Sequence, residues 1–442
     1  MSFFDNILNN LPEVKAPTQK KLSFKQKLKW TLIILILFFL LGLIPLYGLG
    51  GNALSRFEYL SVIMASSMGS IISLGIGPIV TASIVLQLLN GSGLLKFDLT
   101  TSEGKKRFQG IQKLLSIGFI ILEAIIYVQM GGLTPIEGVS SLILIFQLFL
   151  GGLMIMFMDE VVSKWGFGSG ISLFIAAGVS QSIFIRAFNP LSSPTNPGMA
   201  SGAVPALIQS LSTGDSVTAG LMFAGIVATI VVFLLVVYAQ SMRVEVPLSF
   251  GRVRGYGVRW PLHFFYTSNI PVILVAALIA NFQLAGALFP SLKGIAAWLQ
   301  GPQIIDSLIT HSLQFLDIAK ALVYLLVMML GAMMFSIFWV QTSGLDARSQ
   351  AKQMLSSGLQ IPGFRKDIRV LERMLNRYIW PLTIVGGLAV GLLAALADVS
   401  GALASGTGIL LTVMIVYRLY EEIAQQHMMD MNPMMRKFIA GG

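Results

Sequence analysis

The chain has 442 residues, of which 55% are hydrophobic and only 11% charged, far below the roughly 25% charge of soluble domains, and this excludes a water-soluble globule. It has no cysteine, which excludes a disulfide framework or thiolate metal site. Its three histidines, His263, His311 and His427, lie scattered outside or at the ends of apolar runs, which argues against a histidine-based metal or catalytic centre. The 30 Lys+Arg against 20 Asp+Glu give a net charge of +10. Nucleic acid, anionic lipid or cytoplasmic loops would each account for that surplus, so its placement along the chain decides.

Residues 1–29 are expected to be a cytoplasmic segment: six lysines from Lys15 to Lys29 precede the first apolar run. That run is longer than a signal-peptide core and no clear small-residue cleavage site follows it, so it is expected to be a permanent span. A helix crosses the hydrocarbon core with about 20 apolar residues. Charge-free runs of that order fall at 30–55, 59–95, 138–158, 165–185, 216–242, 260–292, 321–345, 378–397 and 399–417, and 114–136 is interrupted only by Glu123. The 59–95 run contains the breakers Gly75, Gly77 and Pro78 and reads as a short half-inserted helix followed by one span.

With ten spans and an inner N-terminus, 26 Lys/Arg fall in inner segments and 4 outside, as the positive-inside rule requires. Both termini, including the tail 425–442, are then cytoplasmic. Five spans (30–186) precede the Pro- and Gly-rich external loop 187–215 and five (216–424) follow it. The second half would enter the membrane in the opposite sense to the first, which is the parity an inverted repeat requires. The expected fold is an all-α membrane protein of ten transmembrane helices in two inverted five-helix halves.

Within the 53–70 element, Leu54, Phe57, Leu60, Ile63 and Met64 recur at helical spacing among small residues. Too short to span, the element is either a mobile filler of a central cavity or a static interfacial helix. Glu123, the only carboxylate well inside a span, is a functional candidate by default, though an interhelical hydrogen bond, with Thr81 or Asn269 for example, would equally satisfy it. Two inner loops are strongly basic: 241–266 with Arg243, Arg252, Arg254 and Arg259, and 342–377 with Arg348, Lys352, Arg365, Lys366, Arg369, Arg373 and Arg377. A polyanion such as ribosomal RNA and anionic headgroups both fit that charge. Gly166-Phe167-Gly168-Ser169-Gly170 follows no strand and lacks a closing Lys-Ser/Thr, so it is a packing element and not a phosphate loop. No nucleophile-base constellation or string of ionisable positions is present to suggest an intramembrane enzyme or its main rival, a secondary transporter.

The stretches GIGPIVTASIVLQLL (75–89), FQGIQKLLSI (108–117), SKWGFGSGISLFIAAGVSQ (163–181), MRVEVPLSFGRVRG (242–255), YTSNIPVIL (266–274), GLDARSQAKQM (344–354), IPGFRK (361–366) and GTGILLTVMIVYRLYEE (406–422) resemble the SecY family. YTSNIPVIL points to its archaeal and eukaryotic branch. The resemblance runs from about Leu11 to the C-terminus. It implies a central pore through which unfolded polypeptide crosses a cell membrane, with a lateral gate releasing hydrophobic segments into lipid, and no enzymatic activity, metal or cofactor. Implied partners are SecE/gamma-type and beta-type small single-span subunits, the ribosome, contacted in part through its RNA, signal-sequence-bearing polypeptides, and membrane lipid.

Carried over by motif, the pore ring falls on Ile76, Val80, Ile171, Ile175, Ile273 and Leu411, and the polar cluster of the lateral gate on Thr81, Glu123 and Asn269. The 53–70 element matches the plug helix. Arg252, Arg254, Arg365 and Lys366 match ribosome-contacting positions. Where the family usually has an arginine near the end of the plug, this chain has Ser67.

Overall fold

The computed structural model describes residues 10–18, 22–52, 67–91, 94–95, 97, 101–192, 199–250, 257–267, 270–356, 359–360 and 367–431. Ten helices follow in the expected order: α1 (Phe24–Leu43), α2 (Gly77–Gly91), α3 (Ser102–Gln129), α4 (Ser141–Trp165), α5 (Gly170–Phe188), α6 (Ser216–Ser241), α7 (Ile270–Leu288), α8 (Phe315–Thr342), α9 (Ile368–Val399) and α10 (Gly406–Met431). Apolar side chains such as Leu32, Ile36 and Leu40 on α1 and Phe223, Ile230 and Leu234 on α6 face outward, as side chains solvated by lipid do. In hydrocarbon every backbone polar group needs an internal partner, which is why the apolar segments fold as helices.

Contacts divide the chain into two compact units. The first holds residues 1–83, 109–205 and 411–442, and the second holds 84–108 and 206–410. In the first, glycines on α4 let helices approach closely. A Cβ on Gly151 would run into the carbonyl oxygen of Ile71, and one on Gly152 would stand 2.6 Å from Ile120 of α3. Small residues are the usual means of such packing in lipid, where apolar burial gives no net drive between helices. Phe38 of α1 stacks on Phe174 of α5 at 4.8 Å. At one end, β1 (Leu49–Asn52) pairs antiparallel with β2 (Leu133–Pro135).

At the opposite end of α4, residues 12–15 lie as a strap across α3 and α4. The Val14 amide donates to Glu160 at 2.9 Å, and the Lys164 ammonium donates to the Val14 carbonyl at 2.6 Å. Trp165 Nε1 donates to the Lys15 carbonyl at 2.9 Å. Lys113 pairs with Glu160 and reaches the Pro12 carbonyl, and Lys164 pairs with Glu13. Further along, Gln426 of α10 donates to the Leu22 carbonyl at 3.0 Å, and the Phe24 and His427 rings lie 5.5 Å apart.

In the second unit, α9 packs on α8 through Gly387 and Gly391, whose added Cβ atoms would stand 2.5 Å from Ser336 Oγ and 2.6 Å from the Met328 carbonyl. The basic segments differ from plain loops. Arg243–Phe250 (β3) and Gly257–His263 (β4) form an antiparallel hairpin, and Leu359–Gln360 (β5) adds to β3. The residue types Val244-Glu245-Val246 alternate as in a strand, and of the three only Val246 is buried, Val244 and Glu245 being exposed. This small sheet shares a core of Val246, Leu262, Val340, Ala351, Leu371 and Leu375 with the ends of α8 and α9 and helix Ala347–Ser356. A helix also occupies Ala203–Thr213 of the 187–215 connection, with Ala203, Ala206 and Ser210 as its buried face.

Glu160→Gln keeps the side-chain volume but removes the charge that Lys113 shares. Loosening residues 12–15 by about 1.5–3 kcal/mol should accelerate trypsin cleavage at Lys15, which an unchanged cleavage rate would contradict.

Candidate functional site

The six apolar residues assigned to a ring share one structural property. Ile76 immediately precedes α2, and Val80 lies in its first turn. Ile171 and Ile175 occupy the first two turns of α5, Ile273 the first turn of α7, and Leu411 the second turn of α10. Each of the four helices thus carries its ring residues just before its start or within its first two turns. The sequence prepares these starts with breakers. Gly75, at φ +57°, and Gly168, at φ +67°, adopt left-handed backbone just before α2 and α5, and Pro78 and Pro271 sit at second helical positions, where their missing N–H costs nothing.

Ile175 and Leu411 are fully buried, Ile76, Val80 and Ile273 nearly so, and Ile171 is half-buried. Branched aliphatic side chains at a constriction offer water and ions no hydrogen bonds, so such a ring can close by dewetting. It also has no fixed donor or acceptor with which to hold one particular peptide.

In the first unit, Thr81 on α2 and Glu123 on α3 meet, with the Thr81 hydroxyl donating to the Glu123 carboxyl. Buried Tyr127 lies one turn along α3. Asn269, the third member of the expected polar cluster, falls outside the described residues, as do Leu54, Phe57, Leu60, Ile63 and Met64 of the 53–70 element and the basic residues Arg252, Arg254, Arg365 and Lys366.

The far end of the 53–70 element is described and is held by serines. Ser67 Oγ donates to the Gly42 carbonyl at 3.1 Å, Ser70 Oγ to the Ser67 carbonyl at 2.7 Å, and the Gly69 amide to Ser73 Oγ at 2.8 Å. The Ile71 amide then donates to Ile44 at 3.0 Å. A knot of short hydroxyls thus ties this segment to the end of α1 at Ser67 and the residues that follow it.

The structure adds groups that hydropathy reading passes over. Arg369, Arg373 and Arg377 form one exposed stripe at four-residue spacing on α9, opposite buried Leu371, Leu375 and Ile379. Their loop assignment had hidden that periodicity. Arg348 and Lys352 are exposed on the helix Ala347–Ser356. Asp159 and Asp398 lie just past the charge-free parts of α4 and α9 and bond to the first turns of the helices that follow. Among the described residues no group of acidic or histidine side chains could hold a metal ion.

The SecY family profile matches residues 70–420. The protein translocase subunit SecY of Methanothermobacter thermautotrophicus is 48% identical over 454 residues, covering 99% of this chain and 98% of the relative. Two solved structures superpose closely. One is described as showing that the plug domain of the SecY protein stabilises the closed state of the translocation channel and maintains a membrane seal; it has a TM-score of 0.81 at 42% identity and covers 96% of this chain and 97% of the other. The second is Sec61 in the canine ribosome-channel complex from the endoplasmic reticulum, with a TM-score of 0.80 at 41% identity and the same coverage.

Thr81→Val removes the hydroxyl and leaves the Glu123 carboxyl without that donor, so unfolding in detergent should become easier by about 1–3 kcal/mol. Glu123→Gln, which can still accept from Thr81, should cost less, and equal losses would count against the pairing.

Proposed function

The chain belongs to the SecY family, and from that footing we propose how its parts serve a multi-pass membrane protein that forms the central subunit of a protein-conducting channel. The chain is not an enzyme; it passes unfolded polypeptide and works with the ribosome. Ile76, Val80, Ile171, Ile175, Ile273 and Leu411 form the waist, residues 53–70 the plug, and Thr81, Glu123 and Asn269 the polar cluster of the lateral gate. The single observation that supports the waist is that all six ring residues lie just before or within the first two turns of four helices. A constriction made from helix starts places branched side chains on short, independently anchored first turns, and these can flex apart around a passing chain.

The placement of 26 Lys/Arg in alternate segments, against 4 in the others, supports cytoplasmic termini and insertion in a cell membrane. Small single-span subunits of the SecE/gamma and beta types complete the assembly. A signal segment opens the lateral gate by its differential affinity for the open state, since each apolar residue favours lipid by roughly 0.3–0.6 kcal/mol at mid-helix. The serine knot at Ser67, Ser70 and Ser73 anchors the plug's end in place of an arginine.

Planar-bilayer conductance of the purified channel tests the waist and the plug together. The parent should be silent, deletion of residues 54–66 should give openings, and Ile-to-Ser replacement of the ring isoleucines should raise resting leak. Silence in every variant would overturn the assignment.

Charge reversal at Arg252, Arg254, Arg365 and Lys366 should weaken ribosome binding, and the defect should be largest at low salt and shrink as salt rises and screens these contacts. Extending the reversal to Arg369 and Arg373 should add to it. Parental binding in both sets would remove these segments from the docking surface.

A further inference from the structure

The first turn of an α-helix exposes amides that have no partner within the helix, and in a membrane these must find acceptors elsewhere. For α5 the ordinary solution is missing: Ser169 occupies the N-cap position and its side chain makes no capping bond. The acceptor comes from the preceding helix. The Ile171 amide donates to Asp159 Oδ1 of α4 at 2.9 Å, and the Gly170 amide and Ser169 hydroxyl donate to the same carboxyl. Gly170 makes the approach feasible, since a Cβ there would stand 2.5 Å from the Asp159 Cα.

The second unit repeats the device with different residues. At the end of α9, Asp398 accepts the Thr407 amide at 3.1 Å and the Thr407 hydroxyl. The Tyr324 hydroxyl of α8 donates to it at 2.7 Å, and the Gly406 amide also donates. A Cβ on Gly406 would collide with the backbone of Ala397 and Asp398. In both places an aspartate at the end of one span holds the first turn of the next, and a glycine opening that turn lies against the aspartate's own backbone.

We propose that Asp159 and Asp398 are positioning residues for the channel's seal, setting the height and rotation of the starts of α5 and α10 and thereby of Ile171 and Leu411. Ile171 gives its own amide to Asp159, and Leu411 lies one turn beyond Thr407. The inference rests on the assignment of Ile171 and Leu411 to the waist. A two-point grip, hydrogen bonds on one side and backbone contact at glycine on the other, leaves each first turn little freedom to slide or turn.

The test is resting conductance of the full-length channel in planar bilayers, with thermal midpoint measured on the same preparations. Asp159→Ala and Asp398→Ala should raise leak about tenfold, the population shift that follows loss of one helix cap. Asp159→Asn, whose amide oxygen still accepts the first-turn amide, should stay near the parent. Gly170→Ala and Gly406→Ala keep both carboxylates but push the first turns away, and should leak as well. Should the Asp→Ala variants fail to assemble, these glycine variants and Asp159→Asn decide. Val246→Ala, in the small sheet core, should lower the midpoint without leak. Leak that simply follows the midpoint across all variants would reduce the caps to general stabilisers and overturn the proposal. If Ile171→Gly and Leu411→Gly leak while no cap variant does, the proposal falls and the waist stands. If those ring variants do not leak, the waist assignment itself falls.

Discussion

Every backbone N–H and C=O that this chain exposes to hydrocarbon must find a partner without help from water, and the rest of the structure follows from that constraint. Along a helix the requirement is met automatically, which is why ten apolar segments are helices. At a helix start it is not met, and starts that fall within membrane depth must be supplied from outside. The waist proposed for this chain, drawn from the first two turns of four helices, would therefore be a place where the fold has to provide acceptors. Asp159, Asp398 and the hydroxyls of Ser169 and Thr407 are the polar groups gathered at two of those starts.

The count and order of the spans were legible because the absence of charge over about 20 residues has one physical meaning. The starts were less legible. Hydropathy sees no difference between residues 260–269 and 270–288, yet Gly257–His263 is a strand and α7 begins at Ile270. The arginines of 243–263 drew attention to charge and away from the Val244-Glu245-Val246 alternation that marks β3. The cations up to Arg377 set the charge-free run, and so the span, to begin at 378, whereas the helix starts at Ile368, carried by Leu371, Leu375 and Ile379 in the sheet's core.

At the candidate site, the aliphatic ring is assigned only through resemblance, since isoleucine in an apolar helix carries no signal of its own. The Thr81–Glu123 contact was legible from charge, because one carboxylate in a span must have a partner. Asp159 and Asp398 escaped notice by sitting one residue past charge-free runs, where an acidic group looks like an ordinary boundary. What marks them is the pairing of a boundary aspartate with a Ser-Gly some seven to ten residues later, which occurs in both halves. That recurrence is what the expected inverted repeat would leave where overall similarity between the halves is not visible.

The strap at the beginning of the chain bears on the order in which the molecule is built. Residues 12–15 leave the ribosome before any group that holds them exists: Lys113 comes about a hundred residues later, Glu160, Lys164 and Trp165 later still, and Gln426, which takes the Leu22 carbonyl, arrives near the end of synthesis. The newborn N-terminal segment stays unfastened while the first two spans are laid down, and it is secured in two stages, by α3 and α4 and then by α10. The last helix made thus fastens the segment that leads into the first, and a chain stalled before α10 would lack that contact.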